Sequence, residues 1–350
     1  MRQVAIVGTG TTPVGEHWDT SLRMLAADAI RAAMANANIS SVDALYAGNA
    51  YGSSFSSQSQ VGALIADYSG LTGIEALTLD AADASGAAAL RAGYLAVASG
   101  AIDVALVVGV EKSTDSIGST RVQARGVSLD ADYEAIQGAT LTGLCAMLMR
   151  RYMYEYGVEL SAFEGFTINA HRNGSLNENA MFRNIVKAGA FARASMVADP
   201  VNLFDGAPDA DGAAAVILTT AERAADLTDK PVFITGSAVA TDSFALQDRE
   251  DLLYLKAADY SAYKAYQQAG ITTSDVDLFE LHDAFTILSV LSLEATGHAH
   301  RGEGWKLAQN AGENLGLKGS LPVSTFGGLK SRGNPVGATG VYQAVEAYLQ

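Results

Sequence analysis

The chain has 350 residues, 49% of them hydrophobic and only 17% charged, with 35 glycines against 6 prolines. That length and apolar content suit one large or two layered domains with a substantial core, and exclude a disordered protein. A formal net charge of −15 leaves no basic face, so neither nucleic acid nor an anionic membrane is expected as a partner.

Along the chain, "MRQVAIVGTG" carries one arginine and a short apolar run that breaks at Gly8 and Gly10, which reads as a first strand and turn and not as a signal peptide. A helix is predicted from about Leu22 to Ala37, followed by the strand in "NISSVDALYAGNA". Leu77 to Gly100, "LTLDAADASGAAALRAGYLAVASG", reads as a strand, a tight small-residue turn bending at Asp83, and an amphipathic helix. The next apolar run, "DVALVVGVEK", is expected to end a sheet whose edge would otherwise be exposed, and this predicts a dimer. From about Glu111 to Asp205 the character changes to acidic loops and helices with Met and Tyr, too long for a connection in a compact core and therefore read as an inserted cap. Within it, "TLTGLCAMLMRRYMYEYG" places Cys145, the one cysteine, on the apolar face of a helix. A single cysteine excludes an intramolecular disulfide and any metal site of several cysteines, and points to an intracellular, cytoplasmic protein. "DGAPDADGAAAVILTT" is a turn and a buried strand, and "TTAERAADLTDKP" a linker. No apolar segment approaches the roughly 20 residues of a spanning helix.

The two ends of the chain repeat one another. "VAIVG" and "VFITGSAVA" each open a strand; a helix from about Ala257 to Ala269 answers the one after Leu22. At a constant offset Val42 and Asp43 align with Val276 and Asp277, and Gly48, Asn49 and Ala50 with His282, Asp283 and Ala284. "DASGAAALRAGYLAV" is matched by "GNPVGATGVYQAVEAYL". The fold class is therefore α/β, with two duplicated βαβαβ halves in a five-layer α-β-α-β-α sandwich with an inserted loop domain. The halves run over 1–110, completed by about 205–222, and over 231–350, with the insertion at 111–204. Burial of two central helices accounts for the small residues Gly86, Ala87, Ala88, Ala89, Gly337, Ala338 and Gly340.

Two residues stand out as site candidates. Asp83 at a helix N-terminus is either a capping carboxylate or part of the chemistry. His282 ends the apolar strand "VDLFELHDAF", where a histidine facing a cleft favours a site role. His17, His171, His298 and His300 carry little; "HAH" lacks a third ligand and reads as a solvated loop, so no metal is expected. "GTGTTPVG" lacks the spacing of a dinucleotide loop.

The segments "GNAYG", "AADASGAAALRAGYLAVASG", "VALVVGVEK", "VADPVNLFDGAPDADGAAAV", "ELHDAFT" and "GGLKSRGNPVGATGVYQ" resemble, in order and over the whole chain, the thiolase superfamily. The likeness is to sterol-carrier-protein-type thiolases and their prokaryotic relatives that work beside an OB-fold zinc-ribbon partner. The resemblance implies a coenzyme A thioester as substrate, no tightly bound cofactor, a homodimer, and that zinc-ribbon partner as a further subunit. It also implies a nucleophilic cysteine at the place held by Asp83, a second cysteine at Ala284 of an H-D-C-F motif, and the histidine of a G-H-P motif at Asn334. An acyl-aspartate would be a readily hydrolysed mixed anhydride, so acyl transfer through Asp83 is not expected. His282, Asp83 and Asn334 become the catalytic candidates, with Gly327, Gly328, Gly337, Ala338, Lys330 and Arg332 lining the substrate. Lys330 and Arg332 either serve coenzyme A phosphates or offset the acidic surface. The resemblance further implies that the chain ends at Gln350 short of the strands that close the family's second sheet. Three functions follow. One is a retro-aldolase-like enzyme that makes or breaks a carbon–carbon bond in a thioester without a cysteine; another is a non-catalytic subunit of an acyltransferase or aldolase complex. Ordinary acetyl-CoA acetyltransferase activity remains only if residue 83 is an altered position.

Overall fold

A computed structural model describes all 350 residues. The elements run β1 (Val4–Thr11), α1 (Leu22–Asn36), β2 (Ala44–Gly48), α2 (Gly52–Phe55), α3 (Val61–Tyr68), β3 (Glu75–Leu79), α4 (Ser85–Ser99), β4 (Val104–Glu111), α5 (Gly118–Gly126), α6 (Leu141–Tyr156) and α7 (Glu164–Gly174). Then come β5 (Met196–Ala198), β6 (Val201–Asn202), β7 (Gly212–Thr220), α8 (Ala221–Leu227), β8 (Val232–Ile234), α9 (Lys256–Ala269), α10 (Thr286–Ala295), α11 (Lys306–Gln309), α12 (Ala311–Asn314), α13 (Gly328–Ser331) and α14 (Thr339–Leu349). They divide into two units, one of Met1–Ala124, Asp209–Ser237 and Pro335–Gln350, the other of Arg125–Pro208 and Ala238–Asn334.

The first unit is built on a mixed sheet of order β3-β2-β4-β7-β1-β8. β2 is parallel to β3 and β4, whereas β7 is antiparallel to β4 and β1. β4 and β7 are buried at every position, which is why both read as unbroken apolar runs and not as alternating ones. One face of the sheet packs on α1 and α3 through residues such as Val7, Leu25, Ala29, Ile65, Val108 and Ile217. Gly10 lets α1 come close, because a Cβ there would lie 2.3 Å from the Ala29 carbonyl oxygen. The other face carries α4 and α14.

Those two helices meet backbone to backbone. A Cβ on Gly86 would lie 2.8 Å from the Gly337 oxygen, one on Gly340 2.4 Å from the Ala87 nitrogen, and one on Gly109 2.7 Å from the Ala338 Cα. The expectation that packing dictates these small residues holds for Gly86, Gly337 and Gly340. It does not extend to Ala87 and Ala88, which are exposed and half-buried.

Three expectations are corrected. "DVALVVGVEK" is not at the edge of the sheet, since β4 lies between β2 and β7; the outermost strand on that side is β3, with Leu77 48% exposed. The Val232 strand does not open a second sheet. As β8 it pairs with β1 over Val4 to Ile6, because it leaves the short helix α8 beside the open edge of β1. The segment 276–285 forms no ladder: Phe279 makes one parallel bridge to Val323 and Phe285 one antiparallel bridge to Gly206.

The second unit is mainly helical. α6, α7 and α10 surround a core that includes Cys145, Met149, Phe163, Ile287, Val290 and Leu329, with β5 and β6 as a small hairpin. Cys145 is buried, as its helical pattern predicts. No helix is long and apolar enough to cross a membrane.

The α4–α14 contact generates a test. Gly340→Ala should lower stability by about 1–3 kcal/mol, because the methyl meets backbone atoms that cannot move aside alone. Gly126→Ala, with nothing within 4 Å of the added carbon, should stay within about 0.5 kcal/mol. Urea unfolding of both variants decides; equal effects would remove the contact from the account.

Candidate active site

In the first unit the polar centre is Glu111, the last residue of β4 and wholly buried. Its Oε1 accepts from Asn49 Nδ2 at 3.0 Å and the Tyr51 amide at 3.2 Å. Its Oε2 accepts from the Ala50 amide at 3.0 Å and the Gly337 amide at 3.2 Å. Asn49 also donates to the Val110 carbonyl at 2.8 Å and accepts from the Gly52 amide at 2.9 Å. One carboxylate thus joins the turn after β2 to the turn before α14. Burial pushes the Glu111 carboxyl up to about 7, against the pull of the three amides, and the charge of Asp83 adds to the rise.

Asp83 lies on the loop before α4, half-buried. It is not the helix cap. The residue at the N-cap is Ala84, with no side-chain cap bond. Ser85 secures the turn, its hydroxyl donating to the Ala82 carbonyl at 2.6 Å and accepting from the Ala81 amide at 2.9 Å. Ala82 stands at φ +48°, in the left-handed region.

Just past the same end of β4, Lys112 is 2.9 Å from Asp211, and Asp211 also accepts from the Ser113, Thr114 and His17 amides and the Thr114 hydroxyl. Burial alone would raise the Asp211 carboxyl, but these donors outweigh it and hold it below the usual range.

In the second unit His282 is half-buried, in a segment pinned from two sides. The Ala207 amide donates to the Ala284 carbonyl at 2.8 Å and the Thr286 amide to the Asp205 carbonyl at 3.2 Å. On the other side Asp283 accepts from the Leu329 amide at 2.7 Å. Gly328 has φ +53° and leaves 2.4 Å between its missing Cβ and Asp283 Oδ2, so only glycine fits. Gly327, at φ +104°, likewise faces the backbone of Gly174. Lys330 donates to the Asp205 carbonyl. Burial lowers its ammonium, while Asp283, Asp205 and the Cys145 thiol favour its charge. Burial raises the Asp205 carboxyl and lowers the His171 imidazole.

Lys330 and Arg332 are 3% and 1% exposed, which overturns their reading as cations that offset the acidic surface. For Lys330 the buried charges of Asp283 and Asp205 favour the ammonium instead. Asn334 is buried, its backbone N–H donating to the Pro208 carbonyl at 3.0 Å. Gly337 and Ala338 belong to the first unit, packed against Ala50, Glu111 and Gly109. "HAH" is not a wholly solvated loop either: the His298 ring packs on Phe279 and meets the Tyr266 hydroxyl at 3.3 Å, and burial lowers its imidazole. No group of three His, Cys, Asp or Glu side chains is arranged to hold a metal. An open groove of ≈ 720 Å³ along α6 is lined by Met147, Arg150, Arg151, Tyr154 and Asp199, none of them expected.

Residues 4–222 match the model of the thiolase N-terminal domain, and residues 238–350 that of the thiolase C-terminal domain-like family. The chain belongs to the thiolase family. It is 41% identical to the acetyl-CoA acetyltransferase of Methanothermobacter thermautotrophicus, over all of this chain and 91% of that one. It is 30% identical to the benzoylsuccinyl-CoA thiolase subunit BbsB of Thauera aromatica, over all of this chain and 89% of the relative. Among solved structures the Ltp2-ChsH2(DUF35) aldolase shares the fold, with a TM-score of 0.84 and 23% identity over 98% of this chain and 89% of that one.

The raised Glu111 carboxyl has a stated direction in pH. The folded state holds its proton more tightly than the unfolded chain, so its contribution to stability is complete below about pH 4.5 and is lost as pH rises through about 7. Urea unfolding of Glu111→Gln should therefore lack a component of up to about 1.4 kcal/mol per pH unit in that window. Parallel profiles for the two proteins would mean that Glu111 titrates alike folded and unfolded.

Proposed function

We propose that this chain makes or breaks a carbon–carbon bond in a coenzyme A thioester without a cysteine-bound intermediate. One observation carries the reading: the only cysteine, Cys145, is buried in the second unit's core; the resemblance, for its part, implies Asp83 where the family has its nucleophile. Family membership, and relatives named as acetyl-CoA acetyltransferase and as a benzoylsuccinyl-CoA thiolase subunit, support the thioester. The fold shared with an aldolase supports the bond type.

A retro-aldol step suits the residues. A base takes the β-hydroxyl proton, His282 being the candidate in the second unit; the Cα–Cβ bond breaks, leaving a carbonyl product and passing its electron pair to the thioester as an enolate. The Asn334 side-chain amide and the backbone N–H groups of the Gly327–Gly328 turn, in the same unit, stabilise the enolate oxygen. Protonation of the α-carbon then gives the shortened acyl-CoA. No nucleophile is consumed.

A second reading, a thiolase-fold subunit that supports a partner, is favoured by the same neighbours, since BbsB is named as a subunit and the aldolase as an assembly with a DUF35 protein. A zinc-ribbon, OB-fold partner belongs to this proposal. So does a homodimer, for which the support is now β3: an edge strand with Glu75, Leu77 and Thr78 exposed offers unpaired backbone groups to a second copy.

The purified protein, with and without co-purifying proteins, should be incubated with β-hydroxyacyl- and β-ketoacyl-CoA thioesters and the products weighed. Cleavage of a β-hydroxyacyl thioester without consumption of free coenzyme A is expected. Thiolysis of a β-ketoacyl thioester through an acyl adduct on Cys145 would overturn the reading. Intact mass after acetyl-CoA should be unchanged. Sedimentation should show a dimer at micromolar concentration, and a stable monomer there would remove it.

A further inference from the structure

Three turns far apart in sequence meet inside the first unit. The end of β2 touches the start of α4, where a Cβ on Gly48 would lie 2.6 Å from the Gly86 Cα. Gly86 in turn lies against the Gly337 carbonyl, and Gly337 against the Ala50 nitrogen. The carboxylate of Glu111 binds two of these turns directly, through Asn49, Ala50, Tyr51 and Gly337. Residue 83, on the approach to the third, is close enough for its charge to be felt at Glu111. The other ionised groups at this end of the sheet pair among themselves: Lys112 with Asp211 and Asp115.

From this we infer that Glu111 is a positioning residue of the site, a buried carboxyl that holds the Asn49–Tyr51 and Gly337 turns in register and, when ionised, sets the electrostatic potential at residue 83. It has no contact with substrate to make, because it is wholly buried. The site role of residue 83 rests on the function proposed above; the coupling between 83 and 111 does not. A buried carboxylate whose lone pairs are taken by backbone amides is ionised at the cost of desolvation, so its charge is little screened and acts strongly on a neighbour. A thiol placed at 83 would lose its proton against that charge, and a charge at 83 in turn raises the Glu111 carboxyl.

The test uses a thiol as the reporter. In the Asp83→Cys protein, the pH midpoint of alkylation at residue 83 is followed by peptide mass, with buried Cys145 as internal reference. Adding Glu111→Gln should move the midpoint down by about half a unit or more, whereas Glu111→Asp, which keeps the charge, should leave it nearer its original place. A purely structural role for Glu111 would loosen the turns and raise alkylation at every pH without moving the midpoint. The reciprocal measurement needs no change at Glu111 and covers the case in which Glu111→Gln does not fold. In Asp83→Asn, the Glu111 titration, read from its carboxyl carbon by NMR, should shift to lower pH. Unmoved midpoints in either experiment would overturn the inference. Absence of thioester cleavage by the unaltered protein would instead sink the proposed function and leave this coupling standing.

Discussion

The first unit depends on the lack of side chains where α4 meets the turn into α14. Gly86, Gly337 and Gly340 each place backbone against backbone, at separations a single methyl would fill. Because no side chain intervenes, the amides at these turns come within reach of groups on the sheet, and Glu111 is the group that uses them. Packing and electrostatics here are one constraint: the glycines bring the amides in, and the amides make an ionised carboxylate tolerable in the interior.

A similar economy governs the second unit. Gly328 gives up its Cβ volume to the Asp283 carboxylate, which then accepts from the Leu329 amide. Lys330, on the same short turn, reaches back to the Asp205 carbonyl. Removing one partner of such a buried set leaves the others uncompensated, which is costlier than never having buried them. The residues on either side of His282 are thereby held by groups with little freedom, even though His282 itself is only half-buried.

Much of this was legible in the sequence, and the failures have physical reasons. The apolar runs of β1, β4 and β7 and the amphipathic pattern of α1, α4 and α9 announce themselves because periodicity follows burial directly. The small residues of α4 and α14 were readable as close packing, since little else explains so many glycines at a helix start. Strand order was not readable: the run that forms β4 is equally apolar whether central or at an edge beneath a partner. Inside "VALVVGVEK", Glu111 reads only as the end of a strand. The signal was there, in a carboxylate that closes a run of seven buried positions and must therefore find donors. The burial of Lys330 and Arg332 is not legible for the opposite reason: cations in a glycine-rich turn are ordinarily solvated, and only the tertiary structure shows them in the interior.

The sheet of the first unit is assembled from chain segments separated by most of the protein. β1 pairs with β7 across more than 200 residues, from Val4 opposite Thr220 to Thr11 opposite Ala214, and one of the two helices that cover the sheet's second face is α14, at 339–349. During synthesis β1, β2, β3 and β4 are therefore complete while the strand that joins β4 to β1 has yet to be made. Their apolar, unpaired edges must wait through the whole of the intervening insertion. Loop closure on this scale slows folding and prolongs the exposure of strand edges that can capture other chains. The topology thus gives the emerging chain a long period of vulnerability, in which protection by a folding helper matters more than it would for a protein whose neighbouring strands are also neighbours in sequence.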